Sequence, residues 1–415
     1  MSEEASCTID GFGPVPVLRP STPADVGDIV RRAVAENQAL YPLGGGTMLD
    51  VGRPPSRPGY AVDLRSLNAI VDYPARDMTV TVQAGITLAQ LHRTLAAESQ
   101  RLPIDVPQAD RATLGGALAV NVSGPRRYAQ GALRDYVIGI TTINDEGRET
   151  KAGGRVVKNV AGYDLCKLHV GALGTLGIIT QVTLKLRPLP ETRVLVTLGC
   201  DLAGLGPLLD RLHASRVRPS CVDAVNAAAA GVLREAAVGL PESPWVVVVG
   251  FEDNSAAVSW QIQQLIKDVM PMNVQGLEAR AGAASDALWQ ALVEQTAPAS
   301  AALSFKANLL PGAVAAFCHE ASKWEELHLH AHAGSGIVLG HLYGPPALDR
   351  VRPMLDALCG HAAAAQGNLV LPRCPLEWKA SLPVWGRQRG DLWLMRDVKQ
   401  RLDPRDLFNP GRFVV

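Results

Sequence analysis

Val156-Val-Lys-Asn-Val-Ala-Gly-Tyr-Asp-Leu-Cys-Lys-Leu-His-Val-Gly-Ala-Leu-Gly-Thr-Leu-Gly-Ile-Ile-Thr180 decides how this chain is read. Glycines stand at 162, 171, 174 and 177, and the stretch runs into Gln181 to Leu186. There Val182, Leu184 and Leu186 alternate with Thr183 and Lys185, which predicts a half-buried strand. The glycines ahead of it predict a backbone that turns sharply or lies against something flat.

Bulk composition narrows the class. A chain of 415 residues is long for one domain and comfortable for two. Lys plus Arg and Asp plus Glu both number 40, so no net field favours nucleic acid or an anionic membrane. The longest apolar runs, such as Val246 to Val249, fall far short of the ~20 residues of a membrane helix. No charged segment followed by an apolar stretch opens the chain, so a secretory signal is not expected. The 7 cysteines are scattered and never form C-x-x-C. That points to reduced thiols in a cytoplasm and away from an iron–sulfur or zinc site.

Around the opening stretch, strands and helices alternate. Thr22-Pro-Ala-Asp25 predicts a capped helix with Val26, Ile29, Val30 and Val34 on one face. Ala39 to Leu43 predicts a strand that ends in Gly44-Gly-Gly-Thr47. Met78 to Val82 predicts another, followed by a helix capped by Thr87 with Gln90. Arg187-Pro-Leu-Pro190 marks a boundary, after which Ala224 to Ala237 and Ala281 to Ala297 predict helices and Trp245 to Phe251 a strand. The order predicts an α+β class: one domain over 1–187, a second α+β domain with an antiparallel sheet over 188–375, and a tail over 376–415.

The 156–186 stretch closely resembles the second half of the PCMH-type FAD-binding domain of the vanillyl-alcohol-oxidase superfamily. Gly44-Gly-Gly-Thr47 resembles the family's first pyrophosphate loop, and Thr113-Leu-Gly-Gly-Ala-Leu-Ala-Val-Asn-Val-Ser-Gly124 resembles the second. The tail Asp403-Pro-Arg-Asp-Leu-Phe-Asn-Pro-Gly-Arg-Phe413 resembles the superfamily's C-terminal signature. Within it, Lys158 to Leu165 looks most like the subunits of bacterial glycolate oxidase, and Gly124-Pro-Arg-Arg-Tyr128 resembles a segment of its FAD-binding, smaller flavin subunit. No G-x-G-x-x-G fingerprint of a Rossmann flavoprotein opens a helix here.

The resemblance implies FAD at Gly44, Gly45, Gly46, Thr47, Thr113, Gly115, Gly116, Asn121, Ser123, Gly124, Lys158, Asn159, Gly162, Tyr163, Gly174, Gly177, Ile178 and Ile179. Backbone N–H groups in glycine loops can cradle a diphosphate with no side chain in the way. Some relatives link FAD to a histidine where this chain has Thr47, so non-covalent FAD is expected. Arg126 and Arg127 are candidates for facing phosphate or a neighbouring subunit.

Hydroxy-acid oxidation also needs a cation for the carboxylate and a base for the hydroxyl proton. Relatives carry H-x-G-D-G-N-x-H, whose histidines serve metal or substrate. In this chain His332-Ala-Gly is followed by Ser335 in place of the aspartate, Ile337 in place of the asparagine and Leu339 in place of the second histidine. His341 is displaced by two residues, the same strand face but roughly 7 Å away. Leu173 stands where many relatives have a glutamate. His332 and His341 are the candidates for a base. His328, His330 and His332 share one strand face, but with no carboxylate near them in sequence no metal is expected.

The resemblance therefore implies the FAD-binding subunit of a complex that oxidises glycolate to glyoxylate. Its partners would be a larger flavin subunit, which acts on the small 2-hydroxy acid, and an iron–sulfur subunit. Its own flavin would be a relay or structural. The complex would be cytoplasmic, with possible peripheral attachment at the inner face of the membrane. The alternatives are a self-sufficient 2-hydroxy acid dehydrogenase and a non-catalytic assembly subunit.

Overall fold

The computed structural model describes residues 5–155, 163–236, 239–344, 347–388 and 390–414. The chain forms two compact units, one of 1–122, 132–189 and 388–415, the other of 123–131 and 190–387. Among the described residues, no helix is long and apolar enough to cross a membrane.

In the first unit, β1 (Ser6–Ile9), β2 (Phe12–Leu18), β3 (Ala39–Leu43) and β4 (Gly59–Asp63) form a sheet in the order β1-β2-β4-β3. The helix Pro23–Ala35 begins as its sequence predicts. Thr22 Oγ1 accepts from the Asp25 amide at 3.2 Å, and Asp25 Oδ2 accepts from the Thr22 amide at 2.9 Å. Its apolar stripe buries Val26 and Val30 against Leu40 and Val62, with Ile29 and Val34 at the margin.

A second sheet uses β5 (Ile70–Asp72), β6 (Thr79–Gln83), β8 (Val137–Ile143), β9 (Glu149–Gly153) and β10 (Ile178–Lys185), in the order β5-β6-β10-β8-β9. The short strands β7 (Gln100–Arg101) and β11 (Arg187–Pro188) pair apart from it. The strand predicted after the glycines is β10, and it begins at Ile178 rather than Gln181. It is also buried on both faces, not half-buried, because it runs between β6 and β8 with structure on each side. Thr183 tolerates that burial by sharing a hydrogen bond with Thr81, 3.0 Å between hydroxyls.

The C-terminal segment is clasped onto this unit. The helix Leu392–Leu402 carries Lys399, whose Nζ reaches Asp403 Oδ2 at 2.6 Å and the carbonyls of Thr175 and Phe408 at 2.9 and 3.1 Å. Asp403 in turn accepts the amides of Leu407 and Phe408 at 2.9 and 2.8 Å. The chain then pairs with β3 through Leu40 N to Leu407 O and Asn409 N to Leu40 O.

The second unit is built on an antiparallel sheet of eight strands: β12 (Thr192–Cys200), β13 (Cys221–Asn226), β14 (Trp245–Asp253), β15 (Gln275–Ala281), β16 (Leu303–Asn308), β17 (His328–His332), β18 (Ile337–Leu342) and β19 (Asn368–Arg373). Their order is β15-β12-β14-β13-β17-β18-β16-β19. One face packs Val196, Val247, Phe305, Leu329 and Val338 into the largest core. The helices Ala227–Ala236 and Gly282–Glu294 cover the other face over β12, β13 and β14. The predicted helix at 224–237 starts only at Ala227, because Asn226 Oδ1 caps it from the end of β13 by accepting the Ala229 amide at 3.0 Å. Alanines before the cap carry no signal against a strand, which is why the boundary was misread.

Asp403→Ala should leave two buried amides without their acceptor and take from Lys399 the buried one of its two carboxylates, the other being the exposed Asp406 at 3.0 Å. We expect a loss of about 3 kcal/mol in chemical denaturation of the whole chain, whereas Asp406→Ala at the exposed end should change little.

Candidate functional site

Two adjoining clefts that enclose about 750 and 420 Å³, open solvent included, lie in the first unit. The loop after β3 meets the segment before the helix Leu114–Val120 at backbone-to-backbone distance. A Cβ on Gly44 would lie 2.0 Å from Thr113 Oγ1, and one on Gly45 would lie 1.8 Å from the Arg111 carbonyl. Only glycine allows that approach. Thr113 holds the far side by accepting the Gly116 amide at 3.3 Å.

The first cleft is lined by Gly44, Gly45, Gly46, Thr47, Thr113 and Gly116. Gly115, Gly174, Gly177 and Ile179 line the second, which shares Gly44, Thr113 and Gly116. Ten of the residues singled out in the sequence thus converge. Others do not: Asn121, Ser123 and Gly124 line neither cleft, and Ser123 and Gly124 group with the second unit. Ile178 points the opposite way from Ile179, into the core with Val26 and Phe408. Tyr163 is 93% exposed. Lys158, Asn159 and Gly162 lie outside the described residues.

Leu173, Asn409 and Arg412 line the first cleft and were not foreseen as site residues. Leu173 has φ +51°, uncommon for a bulky side chain. It is held there by its amide on Ala119 O at 2.8 Å and by Asn409 Nδ2 on its carbonyl at 2.6 Å. Arg412 donates to the carbonyls of Leu49, Val51 and Arg53 at 2.5, 2.9 and 2.9 Å, fixing the chain after the glycine loop. Leu173 was noted only for standing where relatives have a glutamate, and the only sequence signal for Asn409 and Arg412 was the tail, distant in the chain. Beside Gly177, burial pushes His169 down to about 4, so its ring is neutral at pH 7.

The second unit holds a polar sheet face. Asp223 Oδ2 accepts from His330 Nε2 at 2.8 Å and from His332 Nδ1 at 3.0 Å, all three groups buried. This overturns the expectation that the histidine face has no carboxylate. Asp223 is far away in sequence, just ahead of the stretch at 224–237 read as a helix, and belongs to β13. Burial works to raise the Asp223 pKa, but the two imidazoles outweigh it and hold it at about 2. Burial pushes His330 down. His341 is tied to Ser304 Oγ at 2.9 Å, and burial holds it at about 3, too low for a proton acceptor at neutral pH. Leu339 stands between His330 and Lys306 in the strand register.

Lys306 is a further finding. Burial, with Arg127 close by, pushes it down to about 8. Among the described residues neither side chain has an anionic partner. Arg126 is not the partner-facing group anticipated. It grips the fully buried Glu252 at 2.8 Å and lies over the Trp289 ring at 4.0 Å.

These features define a class, and comparison with known proteins supplies it. Residues 14–153 match the FAD binding domain, and 384–413 match the C-terminal domain of FAD linked oxidases. The chain is an FAD-dependent oxidoreductase with a PCMH-type fold, and FAD is its cofactor. It is 25% identical to glycolate oxidase subunit GlcD of Bacillus subtilis, over 96% of this chain and 88% of that protein. D-2-hydroxyglutarate dehydrogenase of Xanthomonas citri is 26% identical over 96% of this chain and 89% of its own. Glycolate oxidase subunit GlcE of Escherichia coli is 36% identical over 163 residues, 39% of this chain and 46% of that protein. A solved alkyldihydroxyacetonephosphate synthase shares the fold, with TM-score 0.68 and 17% identity over 96% of this chain and 77% of that one.

The first unit fits the cofactor. The amides of Gly45, Gly46 and Thr47 donate to no acceptor among the described residues, which leaves a row of N–H groups at the cleft wall for a diphosphate. His169 carries a pH test. Its pKa of about 4 lies below the ordinary 6.5, so it adds stability above pH 6.5 that is lost as pH falls toward 4. The Tm of His169→Phe should therefore decline less steeply than wild type between those two values.

Proposed function

We propose that this chain is the FAD-binding subunit of a glycolate oxidase-type complex that oxidises a small 2-hydroxy acid. The loop Gly44–Thr47 would hold the diphosphate. Thr113, Gly115, Gly116, Gly174, Gly177 and Ile179 would wall the rest of FAD, with Leu173, Asn409 and Arg412 supporting them. Thr47 has no imidazole, so attachment is non-covalent. Bound FAD supplies a two-electron acceptor.

The observation that carries the substrate class is the unpaired cation pair Lys306 and Arg127. A part-buried ammonium beside a guanidinium, with no acid among the described residues to balance either, is matched by a carboxylate. Dependence on a sister subunit rests on what is missing: Ser335, Ile337, Leu339 and Leu173 stand where catalytic relatives have polar groups. The same cation pair favours a second reading, in which the chain oxidises the acid alone.

One experiment separates the two. The chain is purified alone and with co-expressed partners, and glycolate or D-lactate is added without oxygen. Alone, its yellow colour should persist; with partners it should bleach. Rapid bleaching of the isolated chain would establish the self-sufficient reading, and colourless protein that cannot take up FAD would end both. Acid should release the flavin intact, and Gly45→Val should lose it.

Lys306→Met should weaken hydroxy-acid binding by roughly tenfold to a hundredfold, the worth of a charge-assisted hydrogen bond. In wild type the affinity should fall as pH rises through about 8, where Lys306 loses its proton, and that dependence should vanish in the variant.

A further inference from the structure

Residues 123–131 belong to the second unit, although the chain on either side of them belongs to the first. Two contacts hold this short segment. Arg126 Nη2 and Nε donate to Glu252 Oε1 at 2.8 and 3.1 Å, and the guanidinium lies 4.0 Å over the Trp289 ring. Two residues on, Tyr128 presses on Gly334, where an added Cβ would lie 2.3 Å from Tyr128 Cδ2. Between the two anchors stands Arg127, the first residue of a short helix (Arg127–Gln130) that packs against β13 and the turn Ala333–Ser335.

Charge balance alone does not account for Arg126. The Glu252 side chain is fully buried, and a carboxylate at that depth needs a cation. Arg193 already supplies one at 2.8 Å, and the other acid on Arg193, Asp286, is open to water. What Arg126 adds is geometry. A fork on the carboxylate and a stack on the indole fix a side chain that leaves the backbone one residue before Arg127. The Arg127 backbone is tied as well, its amide on Gly124 O and its carbonyl under the Gly131 amide, each at 3.0 Å.

Lys306 stands between Leu339 and Val370 in the strand register, neither of them ionisable. Of the ionisable groups on the adjoining strands, burial keeps His330 and His341 neutral near pH 8, and Arg373 is engaged by the carbonyls of Pro298 and Ala301 at 3.2 and 3.4 Å. Arg127 is the charge that acts on the Lys306 ammonium. Two cations repel, so a guanidinium free to move would turn away from Lys306.

We propose that Arg126 is a positioning residue: anchored on Glu252 and Trp289, it holds Arg127 beside Lys306, so that the two cations form a preset clamp for the substrate carboxylate. The inference rests on the hydroxy-acid reading. A preset clamp spares the substrate the cost of ordering a long side chain, a gain of roughly twofold to tenfold in affinity.

The test uses the full-length, FAD-loaded chain and oxalate, which has the carboxylate but no hydrogen to surrender. Arg126→Met should weaken oxalate binding roughly twofold to tenfold. In an Arg127→Met background the same change should add nothing. Arg193→Met takes a guanidinium from the same carboxylate, but from β12, and should leave oxalate binding as in wild type. A second readout needs no ligand: the titration of Lys306 by NMR with ¹³C-labelled lysine, its signal assigned with Lys306→Met. Once Arg127 is released, the Lys306 midpoint should rise from about 8 by on the order of half a unit. Circular dichroism and retained flavin report folding. Should Arg126→Met fail to fold, Arg126→Lys replaces it, keeping the charge but losing the fork, and should shift both readouts in the same directions. An unmoved Lys306 midpoint in a folded Arg126 variant, or an equal shift in Arg193→Met, overturns the positioning role. Oxalate binding that ignores both Lys306→Met and Arg127→Met overturns the hydroxy-acid reading instead, and the Lys306 midpoint then still decides what Arg126 does.

Discussion

The first unit depends on one close approach of two backbones. Gly44 and Gly45 lie so near Arg111 and Thr113 that a single added methyl group would sit about 2 Å from atoms of the opposing segment, inside any van der Waals radius. That contact sets the spacing of the cleft walls. It also explains why the amides of Gly45, Gly46 and Thr47 are left for a ligand: the loop is pinned by contact and needs no ladder of its own. A looser loop would be free to fold those amides onto itself, and the anion cradle would close.

The tail completes what the glycines begin. Lys399 and Asp403 draw the C-terminal segment along β3, and Asn409 then holds Leu173 in a left-handed conformation. Such a conformation costs about 1 kcal/mol or more for a bulky residue and persists where its surroundings impose it. Here the surroundings are two hydrogen bonds on the Leu173 backbone, neither of which involves its side chain. The loop therefore keeps its shape whatever residue occupies 173. The identity of the side chain at 173 is thereby separated from the shape of the cleft wall.

Legibility in the sequence followed the same division. Glycine loops, caps and alternating strands report local backbone constraints, so the helix capped by Thr22, the strand after Gly177 and the two lining loops could all be read directly. Burial could not. Whether β10 is half or fully buried depends on its sitting between β6 and β8, a fact of sheet order that alternation does not encode. Asn409 and Arg412 entered the cleft by long-range docking, and Ile178 left it because neighbouring strand residues face opposite ways. Arg126, expected to face phosphate or a neighbouring subunit, is instead engaged by Glu252 and Trp289, which long-range folding brings around it.

The two units hold polarity by different physics, and this decides what each can do. The first offers backbone dipoles, which bind an anion in any protonation state and need little besides shape. The second gathers titratable side chains on a buried sheet face, where each charge must find its opposite. Three of its residues, Asp223, His330 and His332, meet on one carboxylate oxygen. Among the described residues, two others, Lys306 and Arg127, are cations with no acid partner. Lys306 and His330 lie on one sheet, with Leu339 between them in the register. Burial that leaves a charge unpaired is costly, so what each of these side chains can do is set by the partners that its place on the sheet allows.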